Sequence, residues 1–189
     1  MCSTLIDMLA THGYLRGAFV GHSYGTSWLS YMCKYAGKAV ASVVFIDPIC
    51  FCLHVPRLTK KFVYHRPDVG SGPTYLVRTD LSVNWTIQRS FPWAWIILFK
   101  EQIDAPCAVF LSDQDMLVPA EKVERYLRSK DAPVRDFKDA DVRHYCSAPL
   151  TVTVFRGEGH GQWTTDASVP DQLVACTEAL SKKAESKKE

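Results

Sequence analysis

A chain of 189 residues is long enough for one domain with a sizeable core. Its 47% hydrophobic and 22% charged residues are the balance of a globular protein, and a net charge of +2 with no basic stripe argues against nucleic-acid binding. The most apolar stretch, Phe91 to Phe99, is far too short to span a bilayer.

Residues 4–12 read as a short helix with Leu5, Met8 and Leu9 on its inner face and Gly13 as the stop. Gly17 to Gly21 reads as a short buried strand. A helix follows from about Tyr24 to Ala36, where Trp28, Tyr31, Met32 and Tyr35 recur at helical spacing. Val40 to Ile46 is almost wholly apolar and β-branched, as a strand covered on both faces requires. Cys107 to Leu111 is a second such strand. A helix from Pro119 to about Ser129 turns Val123, Tyr126 and Leu127 inward and pairs Glu121 with Arg125 and Glu124 with Arg128 outside. Leu150 to Phe155 is the fourth strand, and a last helix runs from about Val169 to Lys182. The charged tail from Ser181 to Glu189 reads as a solvated helix end.

Strands alternating with helices predict an α/β fold with a parallel sheet. Residues 49–104 break the rhythm: they are rich in proline, aromatic and basic residues, and are expected to form a cap or substrate-binding insertion over a core made of 1–48 and 105–189.

Seven cysteines cannot all pair within one chain, and several fall in apolar strand or helix patterns. With no basic, apolar leader at the start, a cytoplasmic or other reducing compartment is expected. Cys50, Cys52 and His54 have the look of metal ligands, but no second ligand pair at a usable spacing accompanies them. No metal or other cofactor is therefore expected.

The chemistry gathers at Gly21-His22-Ser23-Tyr24-Gly25. A Gly-x-Ser-x-Gly pattern means little alone, but this one ends an apolar strand and opens an amphipathic helix. So sharp a turn forces the serine into a strained conformation, and the flanking glycines are expected to leave room for neighbouring backbone. Oγ of Ser23 then stands clear of the sheet. The Tyr24 N–H lies at the helix N-terminus, where free donors can stabilise an oxyanion.

A serine hydroxyl needs a base. Of six histidines, His160 directly follows the last strand, in a loop that glycines allow to bend back over the sheet. His22 is expected to pack or to line the pocket, and His12, His54, His65 and His144 to lie on the surface or in the cap. The base in turn needs a carboxylate. Asp115 is the first choice, after the third strand. Asp113, with a turn-bracing role as its alternative, and Asp47, after the second strand, are the other candidates. The order serine, aspartate, histidine is neither that of chymotrypsin nor that of subtilisin.

With these anchors the sequence resembles the α/β-hydrolase fold superfamily along nearly its whole length. Ser112-Asp113-Gln114-Asp115, followed by Val118-Pro119, resembles the family's strand-end acid motif, with Ser112 in place of a glycine, and gives Asp115 the acid position. The resemblance implies a Ser23–His160–Asp115 triad, with the insertion at 49–104 as the cap. The family's sheet usually has eight strands with the elbow after the fifth, whereas 16 residues precede Gly17. The chain is therefore expected to be an N-terminally truncated portion of a longer hydrolase, lacking the loop that commonly supplies a second oxyanion donor. The elbow strand is then left with an open hydrophobic edge.

The function expected is a serine hydrolase (esterase, lipase or thioesterase-like) working through an acyl-enzyme. Trp85, Phe91, Trp93, Trp95 and Phe99 suggest an apolar acyl or alcohol group in a small-molecule or lipid-like ester, with a place in the core as the equal alternative. The alternatives are an acyltransferase and a catalytically weak fold relative that serves as an interaction or regulatory protein. Epoxide or carbon–halogen hydrolysis is disfavoured, because it calls for a carboxylate where Ser23 stands. Partners are expected to be the small-molecule substrate and, at the strand edge, a second copy or another chain that completes the sheet.

Overall fold

The computed structural model describes residues 2–64, 73–128 and 132–186. His65, Ser129 and the last three residues of the tail, for which readings were given above, lie outside them. The order is α1 (Cys2–Thr11), β1 (Gly17–His22), α2 (Gly25–Tyr35), β2 (Val40–Ile46), then α3 (Pro73–Thr79), α4 (Leu81–Arg89) and α5 (Trp93–Ile96). It continues with β3 (Cys107–Ser112), α6 (Ala120–Arg128), β4 (Val134–Asp136), α7 (Val142–Cys146), β5 (Leu150–Phe155) and α8 (Ser168–Ser186).

The five strands form one sheet in the order β1-β2-β3-β5-β4, with every described pairing parallel. The central strands earn their place by composition: every residue of β3, and all of β2 except Ala41, is buried, as continuous apolar runs under helices on both faces demand. One core layer joins Leu29, Met32, Phe45, Val109 and Val123; the other joins Phe110, Tyr145, Phe155 and Leu180. Cys33 and Cys176 are buried with these residues, and burial pushes both thiols up to about 12, so they pack as small apolar groups. No helix among the described residues is long and apolar enough to cross a membrane.

Several expectations are corrected. β1 lies at the sheet edge as expected, but it is not a buried strand: Val20 is 50% exposed. Helix α2 presents Thr26, Ser27, Leu29, Ser30 and Cys33 to the core together with Met32, while Trp28 and Tyr35 are 42% and 60% exposed. The helix starts directly at the elbow, and the face it turns to the sheet sets Leu29 and Met32 among small side chains, so Trp28 and Tyr35 are left outside. Met8 of α1 is likewise exposed.

His144 is no surface residue. It is buried, and its Nε2 lies 3.1 Å from the Val152 carbonyl oxygen. Asp141 caps its helix by accepting the His144 N–H, and burial pushes the imidazole below its ordinary value. The three-residue edge strand β4 was not read from sequence; it is too short and too polar to show a period.

In α6, Arg125–Glu121 and Arg128–Glu124 pair as expected, at 2.6 and 2.7 Å. These exposed pairs contribute only ~0.2–0.5 kcal/mol each. Val123 and Leu127 of the same helix are buried.

Candidate active site

All the candidate residues sit beyond the carboxyl ends of parallel strands, where open α/β sheets hold their ligands. Ser23 follows β1, Asp47 follows β2, Asp115 lies three residues past β3, and His160 five past β5.

Ser23 has φ +51°, a left-handed conformation that a non-glycine residue adopts only when its surroundings impose it. Here its N–H donates to the Ile46 carbonyl at 2.9 Å, tying the turn to β2. Its own carbonyl accepts the Thr26 hydroxyl, which in turn accepts the Ile49 N–H at 3.1 Å. The two motif glycines are not equivalent. A Cβ on Gly21 would stand 2.7 Å from Leu29 Cδ1 and 3.1 Å from the Gly25 carbonyl carbon, whereas one on Gly25 would meet nothing within 4 Å. The close approach is thus at Gly21 alone, a correction to the symmetric reading.

Oγ of Ser23 lies 2.7 Å from His160 Nε2, and His160 Nδ1 lies 2.6 Å from Asp115 Oδ2. The other carboxylate oxygen of Asp115 accepts the N–H groups of Leu117 and Val118 at 2.7 and 2.9 Å. The acid is therefore held rigidly, and its side chain is almost fully buried. Asp113 does not reach His160; it accepts the Gly157 N–H at 2.8 Å and so braces the histidine loop.

Asp47 holds an unforeseen position. Fully buried, with φ +43°, it accepts the Ser112 N–H on one oxygen at 2.9 Å. The other oxygen accepts the Gly161 N–H at 3.0 Å and the Trp163 indole N–H at 3.2 Å. His22 Nε2 stands 3.7 Å from that oxygen, close enough for attraction but too far for a hydrogen bond, and the His22 ring lies between those of His160 and Trp163.

Burial is the largest influence on Asp47 and would raise its pKa. His22, the Gly161 and Ser112 N–H groups and the charge of His160 outweigh it, so the carboxyl lies below its ordinary value. For His160, burial again dominates and opposes the charged form. The Asp115 hydrogen bond, with the charges of Asp115 and Asp47, turns the net direction upward.

Among the described residues, the group able to converge three metal-ligating side chains is Asp47, Asp115 and His160, with ligand atoms within 4.8 Å of one another. These atoms are already engaged by the donors named above, so the group is satisfied without an ion.

In front of Ser23 opens a cavity of about 570 Å³. Tyr24, Ile49, Leu58, Phe62, Phe91 and Trp93 contribute to its walls, and Ser82, Val83, Thr86 and Ile87 close it from α4. Of the five aromatic residues singled out in the insertion, Phe91 and Trp93 face this cavity, while Trp85, Trp95 and Phe99 are exposed.

No protein-family model and no curated protein matches the sequence. Solved structures do match its fold. A serine hydrolase from the polyaromatic hydrocarbon-degrading bacterium Cycloclasticus zankles superposes with a TM-score of 0.55 at 13% identity, over 92% of this chain and 68% of the other. A variant of the meta-cleavage product hydrolase CumD gives 0.58 at 13% identity, over 96% and 70%. The α/β hydrolase GrgF from Penicillium sp. sh18 gives 0.50 at 11% identity, over 95% and 71%. The chain has the α/β-hydrolase fold. Within that fold, the elbow, acid loop and histidine loop of this chain converge at the ends of β1, β3 and β5.

Proposed function

We propose that this α/β-hydrolase-fold chain is a serine hydrolase that cleaves uncharged esters with an apolar acyl group. The observation that carries the reading is the unbroken hydrogen-bonded chain Ser23–His160–Asp115, with Ser23 in a left-handed turn that opens on an apolar cavity.

The chemistry follows from the geometry. His160 Nε2 takes the proton of Ser23 Oγ as that oxygen attacks the ester carbonyl carbon. The carbonyl oxygen becomes an oxyanion, and the Tyr24 N–H at the start of α2 is the donor assigned to it. Asp115 stabilises the imidazolium and fixes its tautomer. As the tetrahedral species collapses, the C–O bond to the alcohol breaks and His160 protonates the departing oxygen. Water then attacks the acyl-enzyme with His160 again as base, which releases the acid and restores Ser23. Among the described residues no charged side chain lines the cavity, which supports a neutral acyl group.

The test is mass spectrometry of the protein after brief exposure to a medium-chain p-nitrophenyl ester. The expected result is an acyl adduct on Ser23 and a nitrophenol burst, both lost in Ser23→Ala. A folded wild-type protein that shows neither would leave the non-catalytic reading standing.

A further inference from the structure

A second cleft, of about 490 Å³, lies beside the first, between α2 and the segment around α5. Tyr24 and Phe91 line both spaces, and their rings, 5.8 Å apart between centroids, form the partition. Ser27, Trp28 and Trp95 line the far side.

Three observations define what the cleft can take. Its walls are dominated by aromatic rings, which favour a flat apolar body packed against their faces or edges. Ser27 is 2% exposed, and among the described residues its hydroxyl has no hydrogen-bond partner. A buried hydroxyl left unpaired is costly, so a group that bonds it gains more than one bonding an exposed hydroxyl. Finally, the cleft is unsuited to a cation. The Lys34 ammonium already lies over Tyr31 and Tyr35, at 5.6 and 5.8 Å from their centroids, anchored to the carbonyls of Trp95 and Ile97. A second positive charge would meet it.

We infer that this cleft is a binding site for a neutral arene bearing one hydrogen-bonding atom, seated on the rings of Trp28 and Trp95 with that atom on the Ser27 hydroxyl. The volume falls in the range of small-molecule sites. Because Tyr24 separates the two spaces, the bound arene lies next to the Ser23 centre. Binding does not depend on turnover and is read on Ser23→Ala.

The probe is 2-naphthol, titrated into ¹⁵N-labelled Ser23→Ala protein while the indole N–H resonances are followed. The Trp28 and Trp95 signals are expected to move saturably, with Trp85 and Trp163 unmoved. Ser27→Ala, which removes a buried unpaired hydroxyl and leaves the fold intact, is expected to weaken 2-naphthol by about fivefold. The same change should leave naphthalene unaffected. Trp95→Ala at an exposed position is expected to weaken both arenes. Three results would overturn the proposal: no saturable shift at millimolar probe, shifts confined to Trp93 in the other cavity, or loss of binding with rising protein concentration as a second copy fills the cleft.

Discussion

The buried carboxylate of Asp47 accepts the N–H of Gly161, 114 residues further along the chain, at 3.0 Å. The residue after the candidate base is thereby pinned to the end of β2. The other oxygen of Asp47 holds the Ser112 N–H, at the start of the acid loop. One side chain thus braces both loops that deliver partners to Ser23, and its charge stands beside His160.

The pH dependence follows from that charge. A general base works in its neutral form, and His160 is held above its ordinary 6.5. The acylation rate (kcat/KM) should therefore rise with pH through a midpoint above 6.5. Asp47→Asn removes a negative charge that favours the imidazolium, so the midpoint should move down. A purely structural brace would lower the rate without moving the midpoint. The linked stability has the opposite sense. What the raised His160 pKa contributes to the fold is fully present below the unfolded-state value and is lost as pH rises through the folded one.

The two carboxylates of the acid loop should separate cleanly. Asp115→Asn leaves His160 without its charged partner and should reduce kcat by roughly 10³–10⁴, as an acid member does in such triads. Asp113→Asn loosens the Gly157 turn and the 3.8 Å pairing with Arg156, so activity should stay within a few-fold. Steady-state kinetics on the two purified variants decides between them.

The two glycines of the motif should differ in stability. Gly21→Ala drives a methyl into Leu29 and the Gly25 backbone and should cost about 1–3 kcal/mol. Gly25→Ala meets nothing, has no positive φ to satisfy, and should stabilise the protein by ~0.4–1 kcal/mol. Urea unfolding of the pair checks both signs.

The outer edge of β1 should recruit a second copy of this chain. Among the described residues β1 pairs only with β2, Leu15 before it is almost fully exposed, and no lysine guards it. Arg16, the charged residue nearest its start, is turned in to the Val40 carbonyl at 2.8 Å. Sedimentation should show concentration-dependent association that Val20→Lys weakens at least several-fold; a strict monomer at all concentrations would refute it.

Much of this site was legible in the sequence because its signals are local. The β-branched run Val40–Ile46 and the strand Leu150–Phe155 can be bounded to the residue, and the Gly-x-Ser-x-Gly elbow announces itself by lying between a strand and a helix. The likeness of Ser112-Asp113-Gln114-Asp115 to the family's strand-end motif points to Asp115, the carboxylate that lies 2.6 Å from His160 Nδ1. What stayed hidden depends on long-range contact. Nothing in the sequence near Asp47 reveals that its partners are Ser112, Gly161 and Trp163. The apolar period of α2 pointed to its aromatic stripe, whereas close approach to the sheet selected the small residues Ser30 and Cys33 for burial. His144 looks like any surface histidine until α7 folds it under Val152.

The central claim is that Ser23 is an activated nucleophile, and covalent labelling by a fluorophosphonate tests it most directly. Wild-type protein is expected to take up one equivalent, on Ser23, with labelling abolished in Ser23→Ala and strongly slowed in Asp115→Asn. Folded wild-type protein that remains unlabelled, or label that persists in Ser23→Ala, would contradict it.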